Sequence, residues 1–436
     1  MKLCKCSALY GRVNAVDSKS DAHRALICAA LCSGQTKIKV RALNDDIVAT
    51  ATALEALGAS VYRQGDTYTV NGRAVGGGSI FCRESGSTAR FLLPVAAALG
   101  GSASFSGSGR LPERPMGLLT AELRRHGCEV SADFLPITVS GGLSGGRYVL
   151  SGGVSSQFIS GLLMALPLTD TASEIMLSSP LESERYADMT VRTLERFGVK
   201  WKKLTKEETQ DFCGGYRLLG AADYGRICTA HCISEKYDTY TACEEYNVEG
   251  DWSGAAFFAV AAALSGEIEL SSLDADSYQP DKAVLDVIAS AGATVKKNNS
   301  SILVRKGQLT PFSVDVSQYP DIFPILAVLA CGAKGESLLF GAGRLRIKES
   351  DRIETTANMI RALGGSVEVG KDYLRVFGTG RLVGGTVDGA GDHRIVMSAA
   401  VASLLCENEV GILGWQAVNK SYPEFFEVFD SVKVRG

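Results

Sequence analysis

SSQFISGLLMALPLTDTASEIML, residues 155–177, opens on two hydroxyls and an amide, runs eleven residues without a charge, breaks at a polar turn and ends in a short apolar run. Hydroxyls before an apolar segment are good helix N-caps. A helix that is apolar around its whole circumference must be enclosed by protein. The segment therefore predicts a buried helix leading through a turn into a strand.

The same order recurs along the chain. It is found in SKSDAHRALICAALCSGQTKIKV (18–40), SGSTARFLLPVAAALGGSASFSG (85–107) and DWSGAAFFAVAAALSGEIELSSL (251–273), and again in YPDIFPILAVLACGAKGESLLF (319–340) and GDHRIVMSAAVASLLCENEVGIL (391–413). With Ser20, Ser87, Ser156, Ser253, Asp321 and Asp392 as markers, the steps are 67, 69, 97, 68 and 71 residues. A near-constant step is the signature of an internal repeat. Between these units lies a second element, an amphipathic helix that stops at glycine and runs into a strand pair, as in LEALGASVYRQGDTYTV (54–70) and IRALGGSVEVGKDYLRV (360–376). Glycine after a helix supplies the left-handed residue that ends it. A sixth amphipathic helix fits YPEFFEVFDSV, residues 422–432, and its strands are expected from the N-terminal KLCKCSALYGRV.

The expected architecture is α/β, with six repeats in two domains and one buried and one outer helix per repeat. The long step carries an insertion near residues 204–245 that marks the boundary. The domains are then 19–246 and 247–436, the second completed by strands from residues 1–18.

Composition excludes several classes of function. The 436 residues carry 45 Lys+Arg against 48 Asp+Glu, a net charge of -3, which gives no reason to expect a nucleic acid or an anionic membrane as partner. Twelve cysteines are scattered along the full length, several of them inside apolar runs, as reduced thiols of a cytoplasmic protein would be. Cys228, His231 and Cys232 match no structural zinc spacing, so no metal is expected there. No apolar run reaches the roughly 18 residues of a membrane span, and the first residues lack the apolar core of a leader peptide. The expectation is a soluble cytoplasmic monomer.

If the buried helices of a domain run parallel, their N-termini collect on one face. Helix N-termini attract anions. Yet Lys19, Arg24, Arg90 and Arg394 stand in these first turns, where a cation opposes the helix dipole, so an anion is expected to compensate them. RLRIKESDRI, residues 344–353, adds four cations and two carboxylates just before an outer helix, with Asp351 and Glu354 spaced as a capping box.

Eight motifs now stand in order: NAVDSKSDAHRAL (14–26), ESGSTARFLLP (84–94), GSGRLPERPMG (107–117), SSQFISGLLMALPL (155–168), YPDIFPILAVLA (319–330), IKESDRI (347–353), GDHRIVMSAAV (391–401) and VNKSYPEFFE (418–427). Together they resemble the 5-enolpyruvylshikimate-3-phosphate synthase (3-phosphoshikimate 1-carboxyvinyltransferase) family across essentially the whole chain. The resemblance implies a two-domain inside-out α/β barrel, with three βαβαββ units per domain and the active site in the interdomain cleft. It implies transfer of the enolpyruvyl group of phosphoenolpyruvate to the 5-hydroxyl of shikimate 3-phosphate, with no metal or organic cofactor. It further implies that Lys19, Ser20, Arg24, Ser155, Ser156, Gln157, Ser183, Tyr186, Asp321 and Lys348 hold shikimate 3-phosphate. Phosphoenolpyruvate falls to Lys19, Gly86, Arg114, Gln157, Arg352, Arg394 and Lys420, and catalysis to Asp321, Glu349 and Lys19. The sister transferase acting on a nucleotide sugar commonly has a reactive cysteine in the loop matching residues 107–117, where this chain has none. Two positions depart from the family's usual asparagines: Glu84 and Arg344.

Overall fold

The computed structural model describes residues 1–72, 74–220, 239–298 and 300–434. The chain is a mixed α/β protein in two compact units, one of residues 19–248 and one of residues 1–18 with 249–436.

In the unit of residues 19–248, the three apolar segments form the helices Lys19–Ala30, Gly86–Leu99 and Ser156–Ala165. All but the first positions are sealed from solvent, as their circumference of apolar side chains requires. Ser85 and Ser155 are N-caps whose hydroxyls accept from Thr88 N and Gln157 N. Pro94 lies inside the second helix and cannot donate to the Arg90 carbonyl one turn back. The third helix uses that carbonyl's position: a Cβ on Gly161 would lie 2.4 Å from Arg90 O and 2.9 Å from the Pro94 ring. Only glycine permits so close a packing of the two helices.

Each helix feeds a four-stranded sheet of one pattern, a parallel pair extended by two antiparallel strands. Gly78–Phe81 runs parallel to Ser102–Ser106, which continues through Ile137–Gly141 to Cys128–Val130. Arg147–Ser151 and Glu174–Ser179 begin the second such sheet. In the third, Gln35–Lys39 takes its parallel partner from Glu245–Asn247, the last strand before the chain leaves the unit. The outer helices are Asp45–Ala56, Gly117–Arg125 and Glu184–Arg196.

The unit of residues 1–18 and 249–436 is built alike. Trp252–Leu264, Phe323–Gly332 and His393–Ala402 form its core, and Val284–Ser290, Arg352–Ala362 and Phe425–Ser431 lie outside them. Gly58, Gly127, Gly198, Gly292 and Gly364 follow outer helices in the two units, and all have positive φ, from 83° to 105°. The first residues complete two sheets rather than the last one alone. Lys2–Cys4 pairs antiparallel with Val410–Leu413, but Leu9–Asn14 runs parallel to Gly266–Ser271 in another sheet. That pairing buries Leu9 and Val13 and joins the Asn14 and Ser271 side chains. An isolated bridge from Leu9 to Lys433 is its tie to the final segment. No helix among the described residues is long and apolar enough to cross a membrane.

Candidate active site

In the unit of residues 19–248, hydrogen bonds tie the starts of the second and third core helices together. Gln157 accepts from Arg90 Nη1 at 2.8 Å through Oε1 and donates to Ser87 Oγ at 3.0 Å through Nε2, which fixes its amide. Ser155 caps the helix and Ser156 is nearly buried beside it. Ser183 precedes Glu184–Arg196 in a left-handed conformation, φ 55°, and is buried. Arg114 lies with its guanidinium against the backbone of Gly86, so that a Cβ there would be 2.8 Å from Nη1. The carboxylate of Glu84 is packed against Gly109, where a Cβ would lie 2.4 Å from it.

Near the starts of these helices, Arg24 and Arg90 are contacted by neutral oxygens and aromatic rings. Arg24 is buried and donates to Thr190 Oγ1 at 2.8 Å, to the Ser20 carbonyl at 2.6 Å, to the Tyr186 carbonyl at 2.8 Å and to Ser160 Oγ at 3.4 Å. Its guanidinium also lies 5.0 Å from the centre of the Phe91 ring. Arg90 stacks 5.4 Å from Phe158 and bonds Gln157. Neutral oxygens and ring faces can hold a guanidinium because its five N–H donors are spread over a plane. Burial lowers the Arg24 guanidinium to about 10, against the pull of Asp21, which leaves it cationic at neutral pH. Lys19 does find an anion: its Nζ is 2.7 Å from Asp46 Oδ2, with both side chains mostly covered.

In the other unit, RLRIKESDRI divides by function. Arg344 and Arg346 hold the loop, donating to the Ser317 carbonyl at 2.9 Å and to the Gly370 carbonyl at 2.7 Å. Asp351 caps Arg352–Ala362 by accepting from Glu354 N. The capping box is half made, since Glu354 Oε1 turns to within 3.6 Å of Arg346 Nη1. Arg352 faces inward and is 1% exposed, with three carboxylates around one guanidinium. Nη1 donates to Asp321 Oδ1 at 2.7 Å, Nη2 to Glu349 Oε2 at 2.7 Å and Nε to Asp392 Oδ2 at 2.8 Å. Arg394 Nη2 reaches the other oxygen of Asp321 at 3.0 Å, and Lys348 Nζ lies 3.8 Å from Oδ1. Lys420 Nζ donates to the Gly391 carbonyl at 2.6 Å.

Burial alone would raise the Asp321 carboxyl, yet Arg394, Lys348 and Arg352 hold it well below the usual carboxylate range. Burial pulls the Lys348 ammonium down to about 8, with Asp321 opposing. Asp281, covered and joined to the Ser253 hydroxyl, is pushed up to about 7 by burial and by the charge of Asp321. Asp321 lies in a short 3-10 turn, Pro320–Ile322, just before its core helix.

The structure thus brings Asp321, Glu349, Lys348, Arg352 and Arg394 into one cluster, and Gly86 and Arg114 into contact. Two partners escaped the sequence reading. Asp46 looks like an ordinary first-turn acid after the Asn44 cap, and the buried Asp392 reads as an N-cap; the only signal was an acid within a first turn that also faces cations. The segment containing Cys228, His231 and Cys232 lies outside the described residues. Among the described residues, no group of three or more His, Cys, Asp or Glu side chains is placed to hold a metal ion.

A carboxylate cluster laced with guanidinium groups suits a reaction of small anions with proton transfer, and comparison with known proteins gives the family. The family model of EPSP synthase (3-phosphoshikimate 1-carboxyvinyltransferase) matches residues 3–224 and 237–429. A 3-phosphoshikimate 1-carboxyvinyltransferase of Clostridium perfringens (strain SM101) is 37% identical over 433 residues, 98% of this chain and 96% of its own. One of Methanocorpusculum labreanum is 37% identical over 426 residues, 96% and 95% of the two chains. The solved EPSP synthase of Acinetobacter baumannii shares the fold with TM-score 0.78 at 24% identity, over 99% of this chain and 98% of that one. The enolpyruvyl transferase NikO of Streptomyces tendae does so with TM-score 0.76 at 15% identity, over 99% and 97%. The full-length match of the family model, with relatives this similar along the whole chain, establishes that the chain belongs to the EPSP synthase (3-phosphoshikimate 1-carboxyvinyltransferase) family.

Proposed function

We propose that the chain transfers the enolpyruvyl group of phosphoenolpyruvate to the 5-hydroxyl of shikimate 3-phosphate, releasing phosphate. The observation that carries this reading is the cluster around Arg352, where Asp321 and Glu349 are held at 2.7 Å on one guanidinium. Addition of a hydroxyl to an enol phosphate needs a base for the hydroxyl proton and an acid for the methylene carbon. Asp321 serves as the base and Glu349 as the acid. Removal of the 5-hydroxyl proton frees the oxygen to bond C2 of phosphoenolpyruvate, and a proton on C3 completes the tetrahedral adduct. Loss of a methyl proton and of phosphate from that adduct restores the double bond.

Arg114, Arg352, Arg394 and Lys420 are the cations for the phosphoenolpyruvate phosphate and carboxylate, with the Gly86 turn offering its backbone N–H. Lys19 touches both substrates. Ser20, Arg24, Ser155, Ser156, Gln157, Ser183, Tyr186 and Lys348 serve shikimate 3-phosphate. On this reading the six sheets are six βαβαββ copies in two inside-out barrels, and the enzyme works as a cytoplasmic monomer. The ten described cysteines, all free thiols, support a reducing compartment.

Phosphate release should depend on phosphoenolpyruvate and shikimate 3-phosphate together, and a UDP-N-acetylhexosamine should not replace the latter. Release with the nucleotide sugar, or none with shikimate 3-phosphate, would overturn the reading.

A further inference from the structure

Lys19 and His23 stand one turn apart on the first core helix, and Asp46 and Thr50 stand one turn apart on the outer helix Asp45–Ala56. Residues at i and i+4 share a helix face. Two rungs join these faces in register. Lys19 Nζ is 2.7 Å from Asp46 Oδ2, and His23 Nδ1 is 2.7 Å from Thr50 Oγ1. The second rung continues: Thr50 Oγ1 lies 2.7 Å from Thr88 Oγ1, and Thr88 donates its hydroxyl to Ser85 Oγ at 2.8 Å. Ser85 is the cap of the helix that starts with Gly86. His23, Thr50, Thr88 and Ser85 are all 0% exposed, so water does not compete for these bonds. Burial, with Lys19 and Arg24 close by, holds the His23 imidazole well below its usual range; it is neutral and spends one ring nitrogen on Thr50.

We infer that the helix Asp45–Ala56 is a positioning bracket for the phosphoenolpyruvate side of the reaction, in which Asp46 fixes the Lys19 ammonium and Thr50 fixes the Ser85–Gly86 turn. Asp46 and Thr50 are positioning residues, acting through Lys19 and through the cap. A lysine side chain has four rotatable bonds and a compact charge with no preferred direction, so its location in a site must come from a partner. Asn44 holds Asp46 in place in turn, since its side chain caps the outer helix by accepting from Ile47 N. Because Asp46 places Lys19 rather than adding attraction for an anion, its loss should show in turnover more than in substrate affinity.

The inference rests on the role assigned to Lys19, so the test separates the two. In the ligand-free protein, a short pulse of acetic anhydride read by peptide mass spectrometry reports how tightly Lys19 is held. Asp46→Asn should label Lys19 several-fold faster than wild type, Asp46→Glu should lie between, and Thr50→Val should match wild type. In steady-state assays, Asp46→Asn should lose about tenfold or more in kcat with both KM values within about threefold, and Asp46→Glu should recover part of the loss. Thr50→Val should instead raise the KM for phosphoenolpyruvate. Unchanged labelling and turnover in Asp46→Asn, beside an impaired Lys19→Ala, would overturn the bracket alone. A Lys19→Ala protein with wild-type turnover would overturn the role of Lys19 on which the bracket depends.

Discussion

Gly86→Ala isolates the phosphoenolpyruvate side of the proposed site. A glycine at the head of a helix invites the explanation that its backbone needs a conformation other residues avoid. Gly86 does not have a positive φ, unlike 25 of the described glycines, so alanine fits its backbone. What alanine meets is Arg114: a Cβ at position 86 would stand 2.8 Å from Nη1, 3.1 Å from Cζ and 3.2 Å from Nη2. Ordinary contact begins at 3.4 Å, so from 2.8 Å the guanidinium must retreat by about 0.6 Å. Arg114 is 6% exposed and cannot swing into open solvent to do so. A displacement of this size in a group that orients a substrate costs on the order of ten- to a hundredfold in rate, or about 1.4–2.8 kcal/mol of transition-state stabilisation. Helix propensity favours alanine over glycine by up to about 1 kcal/mol, so thermal stability should hold or rise. Steady-state titration of each substrate at saturation of the other, with a melting curve for each protein, tests the argument. The expected result is a ten- to hundredfold loss in kcat/KM for phosphoenolpyruvate, a change within about threefold for shikimate 3-phosphate, and an unlowered melting temperature. Equal losses for the two substrates, or a destabilised variant, would refute the reasoning.

Asp321→Asn should lower kcat by about a hundredfold or more, because an amide keeps the shape of the carboxylate but is a poor base; calorimetry should still show shikimate 3-phosphate binding, and a loss under about tenfold would remove Asp321 as base. Arg352→Lys should cost about 3 kcal/mol, because one ammonium cannot satisfy Asp321, Glu349 and the fully buried Asp392; a loss of about 6–12 °C in the melting of that unit is the readout, and an unchanged transition would contradict the hub. Asp281 has a folded-state pKa of about 7 against 3.8 in the open chain, so the unfolded state loses its proton first and the residue costs stability as pH rises from about 4 to 7. Asp281→Asn, which mimics the protonated acid, should therefore gain stability over wild type between pH 4 and 8, up to about 4 kcal/mol, and denaturation showing a loss at both pH values would refute the assignment.

The sequence made some layers of this protein legible and hid others for physical reasons. The six core helices announce themselves because an all-apolar circumference has one structural solution. The glycines after outer helices are equally plain, since few residues tolerate the left-handed turn. Pairing across long sequence distances leaves no such mark, and so the second N-terminal strand went to Gly266–Ser271 rather than to the last segment. The side-chain directions of arginines were also hidden. Arg24 and Arg394 both stand near the start of a core helix, yet one bonds Thr190, Ser160 and carbonyls while the other meets Asp321. Periodicity locates a residue on an element; which oxygens its guanidinium finds depends on the neighbouring elements.

The carboxylates on these cations bear on how the reaction would be switched on. Arg394 is held by Asp321, and Arg352 by Asp321, Glu349 and Asp392. This cluster thus gathers cations without leaving them to repel one another in a poorly hydrated place. Binding an anionic substrate is then an exchange of one anion for another, which yields less affinity than filling a bare cationic site. The exchange has a chemical consequence at Asp321. Its carboxylate is a weak base while Arg394, Lys348 and Arg352 stabilise its charge, since all three hold it well below the usual range. Once the phosphate and carboxylate of phosphoenolpyruvate draw Arg394 and Arg352 away, the same carboxylate, still buried, loses much of what opposed its desolvation and becomes a stronger base. Part of the donor's binding energy would thereby be converted into basicity at the group proposed to take the acceptor's proton. An aspartate that looks too acidic for its role in the ligand-free protein is, on this account, the resting form of the base.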